Sequence, residues 1–463
     1  MQTLGRRPRR ILLVGVALAV LLGVNVPPAY SFVVGYEHEQ LINSLPYEQQ
    51  FGRWDTVEVP PDQRVNAMHG AVLRDGKVLL IAGSGNKENM FATHALKSLL
   101  YDPVTGASRM IPVPDDMFCG GQLILPDGKL LVAGGTQRYE KLDGAVTNAA
   151  GAMRVKNESP NGPPRTLPQG TEFVSPDGRR YRSANDVTVP PAVKTPTPGG
   201  RTGPARGVTV TASEQTVFVE AETPGPEAVT NVPGNYRISG LSPVDAPNLY
   251  GLNQSMSLAK QDFQGTSKAY EFDPATASWS PAPDMIYKRW YATLTPMADG
   301  KVLTLAGLDG VGLVLNGQNE VFDPATKTWT ERKDLTRYFP TYPAVFQTTR
   351  PNQMFYTGAN AGYGPATQGR VPGLWNLSNN AFVPVPGIRD PDLLETAGSD
   401  GSGRCRTSGW RWSAAAGSAR ARGHRRGSTW PTSRTRRCTS PRARCCPRAP
   451  ATPTWSPCPT TPC

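Results

Sequence analysis

The sequence predicts an all-β chain dominated by a β-propeller, and three observations carry that prediction. A hairpin signal centred on Asp-Gly recurs along the chain. A second hairpin signal, centred on Asp-Pro-x-Thr, recurs between its copies. The two alternate at a single period near 50 residues, as repeated four-stranded units do.

The first half-motif is a short apolar strand, an Asp-Gly turn and a second strand ending in small residues. Its copies are AVLRDGKVLLIAGSG (71–85), LILPDGKLLVAGG (123–135), LTPMADGKVLTLAG (294–307) and the degenerate AVFQTTRPNQMFYTGA (344–359). Asp-Gly flanked by apolar residues is a strong hairpin signal because glycine supplies positive φ. The second half-motif begins at Tyr101, Phe272 and Phe322. Asp75 and Asp127 are 52 residues apart, and Asp273 and Asp323 are 50 apart. Four strands per 50 residues is the kelch type of propeller blade. The expected body, 32–400, holds four clear blades.

One unit is interrupted. The distance from Asp-Gly to Asp-Pro is 27 residues from Asp75 to Asp102 but 146 from Asp127 to Asp273. An insertion is therefore expected over 137–265. Its stretch 156–206 is rich in Pro, Gly and Thr, which predicts loop. Residues 208–222 alternate apolar and polar, which predicts one added hairpin.

The ends differ from the body. Arg6, Arg7, Arg9 and Arg10 precede an apolar run, Ile11 to Val26, which Pro27-Pro28 is expected to break. Residues 1–31 thus read as a signal peptide, or uncleaved as a membrane anchor, and predict a secreted or extracellular, possibly tethered, protein. The net charge of +12 suggests nucleic acid at first sight. However, 401–463 carry thirteen Arg and no acid, leaving 36 basic and 37 acidic residues in the first 400. A folded nucleic-acid face would interleave its charge with the core pattern, so no nucleic-acid partner is expected. The same tail holds six of the seven Cys and no Leu, Ile, Val, Phe, Met or Tyr. It cannot bury a core. Read with G-ending codons in another frame, Gly409–Ala419 gives Val-Ala-Val-Val followed by glycines, the shape of the repeat. Residues 401–463 therefore read as an out-of-frame, disordered tail, with a fifth blade hidden in the alternative frame and the chain truncated by the shift.

Two segments carry a family resemblance. Asp116-Met117-Phe118-Cys119, followed by GGQLILPDGKLLVAGG, resembles the cysteine-bearing segment of galactose oxidase-like copper radical oxidases. Arg289-Trp290-Tyr291, followed by ATLTPMADGKVLTLAG, resembles the segment bearing their cross-linked tyrosine, in the glyoxal oxidase form. The resemblance covers roughly 65–400 and implies a seven-bladed propeller, of which four to five blades are present here. It implies a copper ion and a Tyr-Cys thioether radical. Cys119 would be the thioether partner, Tyr291 the copper-bound radical tyrosine and Trp290 a stacking ring. The implied activity is oxidation of a primary alcohol or aldehyde, glycan-related substrates included, with reduction of O₂ to H₂O₂. The family's second Tyr beside a His, and its late His, have no counterpart. The chain holds only His38, His69, His94 and His424, and no Tyr-His pair. His69 is expected to cap a strand. This shortage predicts an inactive chain, or alternatively a non-catalytic propeller that binds glycan or cell-wall partners. No phosphate loop, Ser-His-Asp signature or zinc spacing is present.

Overall fold

The computed structural model describes residues 6–52, 56–196, 207–229, 233–359, 363–365, 367–386, 397–398 and 415–416. Apart from Ala415–Ala416, which pair with Ala397–Gly398, the expected out-of-frame tail lies outside the described residues.

Four antiparallel four-stranded sheets form where the two half-motifs occur. The first comprises His69–Val72, Val78–Gly83, Lys97–Tyr101 and Ser108–Ile111. The second comprises Gly121–Ile124, Leu130–Ala133, Ala269–Asp273 and Ser278–Ala282. The third comprises Thr293–Pro296, Val302–Leu305, Glu320–Asp323 and Thr328–Glu331. The fourth comprises Ala344–Gln347, Gln353–Gly358, Gly373–Asn376 and Phe382–Pro384. At the Asp-Gly turns only the glycine takes positive φ, +83° at Gly76 and +91° at Gly128, while the aspartate accepts from the N–H two residues on, that of Lys77 or Lys129.

Successive sheets pack face to face, which explains why the second strand is continuously apolar in the first two units and mostly so in the others. Side chains alternate faces along a strand. In Leu130–Ala133, Leu130 and Val132 pack on the first sheet with Leu79 and Ile81. Leu131 and Ala133 pack on the third with Leu294 and Val302. Leu303 and Leu305 then face the fourth sheet, against Val345 and Tyr356. First strands of successive sheets are neighbours: a Cβ on Gly121 would meet Leu294, and the Thr295 hydroxyl donates to the Val345 carbonyl at 2.8 Å.

The insertion corrects the loop expectation. Between Leu130–Ala133 and Ala269–Asp273 stands a closed six-stranded barrel. Its strands run in the order Glu172–Val174, Arg180–Ser183, Ser213–Pro224, Asn148–Asn157, Leu249–Ser257 and Asn235–Ile238. Met153, Val155, Phe173, Tyr181, Val219 and Tyr236 fill it. Several strands are only three or four residues long between Gly and Pro turns, so composition alone resembles loop. The alternating stretch 208–222 does not make its own hairpin. Val208–Thr211 pairs with Val193–Pro196, while Ser213–Pro224 joins the barrel.

The N-terminal helix also departs from expectation. It runs Arg6–Ile42, straight through Pro27-Pro28. The prolines remove two N–H donors without ending it. Among the described residues no helix is long and apolar enough to cross a membrane.

Candidate functional site

The segment 116–119 turns sharply between the first and second sheets, and a buried carboxylate shapes the turn. Asp116 accepts from the Ser84 N–H at 2.8 Å, the Ser84 hydroxyl at 2.8 Å and the Phe118 N–H at 3.2 Å. Burial raises its pKa, and these hydrogen bonds oppose the shift. The small residues that end each repeat are explained here. A Cβ on Gly135 would lie 2.3 Å from the Asp116 carbonyl oxygen, and one on Gly134 would lie 2.4 Å from that of Arg289. Both glycines have positive φ.

The segment 289–291 is held from beneath. Arg289 is fully buried and pairs with the fully buried Glu320 at 2.8 Å. Its remaining donors reach the Ala306 carbonyl at 2.7 Å and the Gln318 carbonyl at 2.6 Å. Glu320 in turn accepts from the Ile286 N–H at 2.7 Å. The Trp290 backbone bridges Leu308, and its indole N–H donates to the Thr136 hydroxyl at 3.2 Å.

These two supports bring Cys119, Trp290 and Tyr291 together, although 172 residues separate the cysteine from the tyrosine. The Tyr291 N–H donates to the Cys119 carbonyl at 2.8 Å. Both residues adopt positive φ, +60° and +64°. The Trp290 ring stacks on Tyr291 at 3.7 Å between centroids and 9° between planes. Phe263 stacks on the far face of Trp290 at 4.2 Å. Burial pushes the Cys119 thiol well above its ordinary pKa, against hydrogen bonds from Tyr291 and Tyr342. Burial and the neighbouring thiol push the Tyr291 phenol up as well.

Sequence reasoning missed Tyr342. Its N–H donates to the Tyr291 carbonyl at 3.0 Å, and its φ is +48°. Cys119, Tyr291 and Tyr342 each stand two residues before the first strand of a sheet. The degenerate turn of the fourth repeat hid that shared register. His69 does begin a strand, as expected, but its Nε2 also lies 3.4 Å from the Tyr342 hydroxyl. Burial lowers the His69 pKa to about 4. Tyr363 meets both Trp290 and Tyr291 edge-on, at 5.5 and 5.8 Å. His38 and His94 are exposed, and His424 lies outside the described residues.

Comparison with known proteins bears on the barrel and on a short segment. Residues 148–256, the extent of the barrel, match the family described as the GlxA beta barrel domain. Galactose oxidase of Gibberella zeae is 41% identical over 59 residues, which is 13% of this chain and 8% of that protein. A fungal alcohol oxidase of the AA5 family, solved in complex with copper, aligns over 66% of this chain and 73% of its own at 14% identity and a TM-score of 0.20. Over the barrel and over that short segment, the chain is similar to the galactose oxidase-like family.

Proposed function

We propose that this chain is a kelch-type propeller of the copper radical oxidase kind, exported from the cytoplasm, whose redox centre is Cys119 joined to Tyr291. The observation that carries the reading is the meeting of the one cysteine of the first 400 residues with Tyr291 under a stacked indole. The reaction proposed for the family-level centre, with a full set of copper ligands, converts a primary alcohol to an aldehyde, or an aldehyde to an acid, and O₂ to H₂O₂. Arg6–Arg10 and the apolar run after them support export.

The donors fit copper in part: a phenol and one nearby imidazole are present. Among the described residues no group of three His, Cys, Asp or Glu side chains could hold a metal ion, and the ligand this reading assigns to copper is the Tyr291 phenol oxygen. Tyr291 offers a half-buried phenol whose pKa burial raises, and a bound cation would stabilise its negative form. Copper, when bound, supplies one-electron chemistry between the phenol and O₂. The chain's own part is to hold the thiol against the ring. As the thioether forms, the S–H of Cys119 and one ring C–H of Tyr291 are lost, and O₂ accepts the two electrons and two protons. Cupric sites favour imidazole. The imidazole that touches this cluster is His69, and this scarcity supports a chain that is inactive by itself.

Peptide mass spectrometry after copper and oxygen treatment tests the reading. The tryptic peptides of Cys119 and Tyr291 should be found linked, with loss of two hydrogens, and Cys119→Ala should abolish the species. If Cys119 stays freely alkylated in a folded, copper-loaded protein, the alternative of a binding propeller replaces this reading.

A further inference from the structure

We propose that Tyr342 is a positioning residue for the Cys119–Tyr291 pair, closing the face of the Tyr291 ring that Trp290 leaves open. Its role in that pair rests on the reading above. The Tyr342 ring stacks on Tyr291 at 4.3 Å and 25°, while Trp290 stacks at 3.7 Å and 9°. Both lie close to parallel with Tyr291 and make no ring contact with each other, so they occupy opposite faces. The result is a column of four rings: Phe263, Trp290, Tyr291 and Tyr342.

The backbone makes this placement obligatory. The Cys119 carbonyl accepts from Tyr291, and the Tyr291 carbonyl accepts from Tyr342, so the heads of three successive sheets form one chain of hydrogen bonds. Each residue turns through the left-handed region there, at φ +60°, +64° and +48°. That conformation is uncommon outside glycine and asparagine, and its repetition at one register signals a built feature.

The phenol also packs beside the thiol: Cys119, Tyr291 and Tyr342 share one packed cluster. A thiol between two phenols could attack either ring. The Tyr342 hydroxyl is engaged from its other side by His69, and the His69 ring meets Tyr342 edge-on at 6.3 Å. Tyr342 is thus fixed from the first sheet and presents its face, not its edge, to the reacting pair. It serves as a wall that confines the thiol and keeps water from the second face of Tyr291.

Two variants separate the ring from the hydroxyl: Tyr342→Phe keeps the stack, and Tyr342→Leu removes it. In the full chain treated with copper and oxygen, Tyr342→Leu should slow thioether formation about tenfold, the size of one aromatic stacking contact. It should also displace the radical absorption band, and Tyr342→Phe should restore rate and band. A leucine variant that cross-links at the wild-type rate with an unmoved band overturns the proposal. If the wild-type protein forms no thioether, the functional reading fails, and Tyr342 is judged on copper-free protein by iodoacetamide. There Cys119 should alkylate about tenfold faster in Tyr342→Leu than in wild type or Tyr342→Phe. Equal rates would reject the wall.

Discussion

Arg289 and Glu320 form an ion pair with no exposure to solvent. Two charges so buried are stable only because every lone donor is used: the guanidinium also serves two carbonyls, and the carboxylate also takes an N–H. The pair sits one residue before Trp290, so its geometry sets where the indole and phenol stand. Glu320→Gln should cost about 3–5 kcal/mol in denaturant unfolding, because it strands a buried guanidinium. Adding Arg289→Met should recover part of that loss; a single variant within 1 kcal/mol of wild type, on the scale of an exposed pair, would show that water reaches the site. At this scale the sequence was readable where chemistry marked it. Cys119, Trp290 and Tyr291 stand in distinctive contexts, and all three meet. Tyr342 was not readable, because Thr348-Thr349-Arg350-Pro351 replaces the Asp-Gly turn that would have aligned it with them. The roles of Asp116 and Glu320 were equally hidden, since nothing local distinguishes a buried acid from a solvated one.

Among the elements, the second strand of each sheet was the most legible. Its largely apolar run follows from burial on both faces, and the Gly-Gly that ends it in LLVAGG follows from the close approach of two backbones. The barrel was the least legible. Closing six strands requires tight turns, and the Gly and Pro that make those turns suggested loop when strands were this short. Its core is a hydrophobic cluster separate from those between the sheets. Met153→Ala should therefore destabilise the chain by about 2–5 kcal/mol through a cavity among Phe173, Tyr181 and Val219. The alkylation rate of native Cys119 should stay at its wild-type value in that variant. A faster rate would mean that the barrel and the aromatic column are coupled.

At the scale of the whole molecule, His69 is the telling contact, because it joins the head of the first sheet to the head of the fourth. Burial holds it neutral, with a pKa of about 4 against an ordinary 6.5. The unfolded chain binds a proton at this site below 6.5, and the folded chain does so only near 4. Stability contributed here is present above pH 6.5, is lost as pH falls from 6.5 toward 4, and changes no further below that. The unfolding midpoint should drop across this window, and His69→Gln should flatten that part of the profile; identical slopes would remove His69 from the account. The separation of Cys119 and Tyr291 has a further consequence. Their joining would do more than modify a ring: it would close a covalent loop of 172 residues with the whole barrel inside it. Restricting so long a loop in the unfolded chain is worth about 5 kcal/mol on the entropic account of cross-links. The group proposed for electron transfer would then also act as the clasp of the fold, and its formation would be visible as a rise in melting temperature.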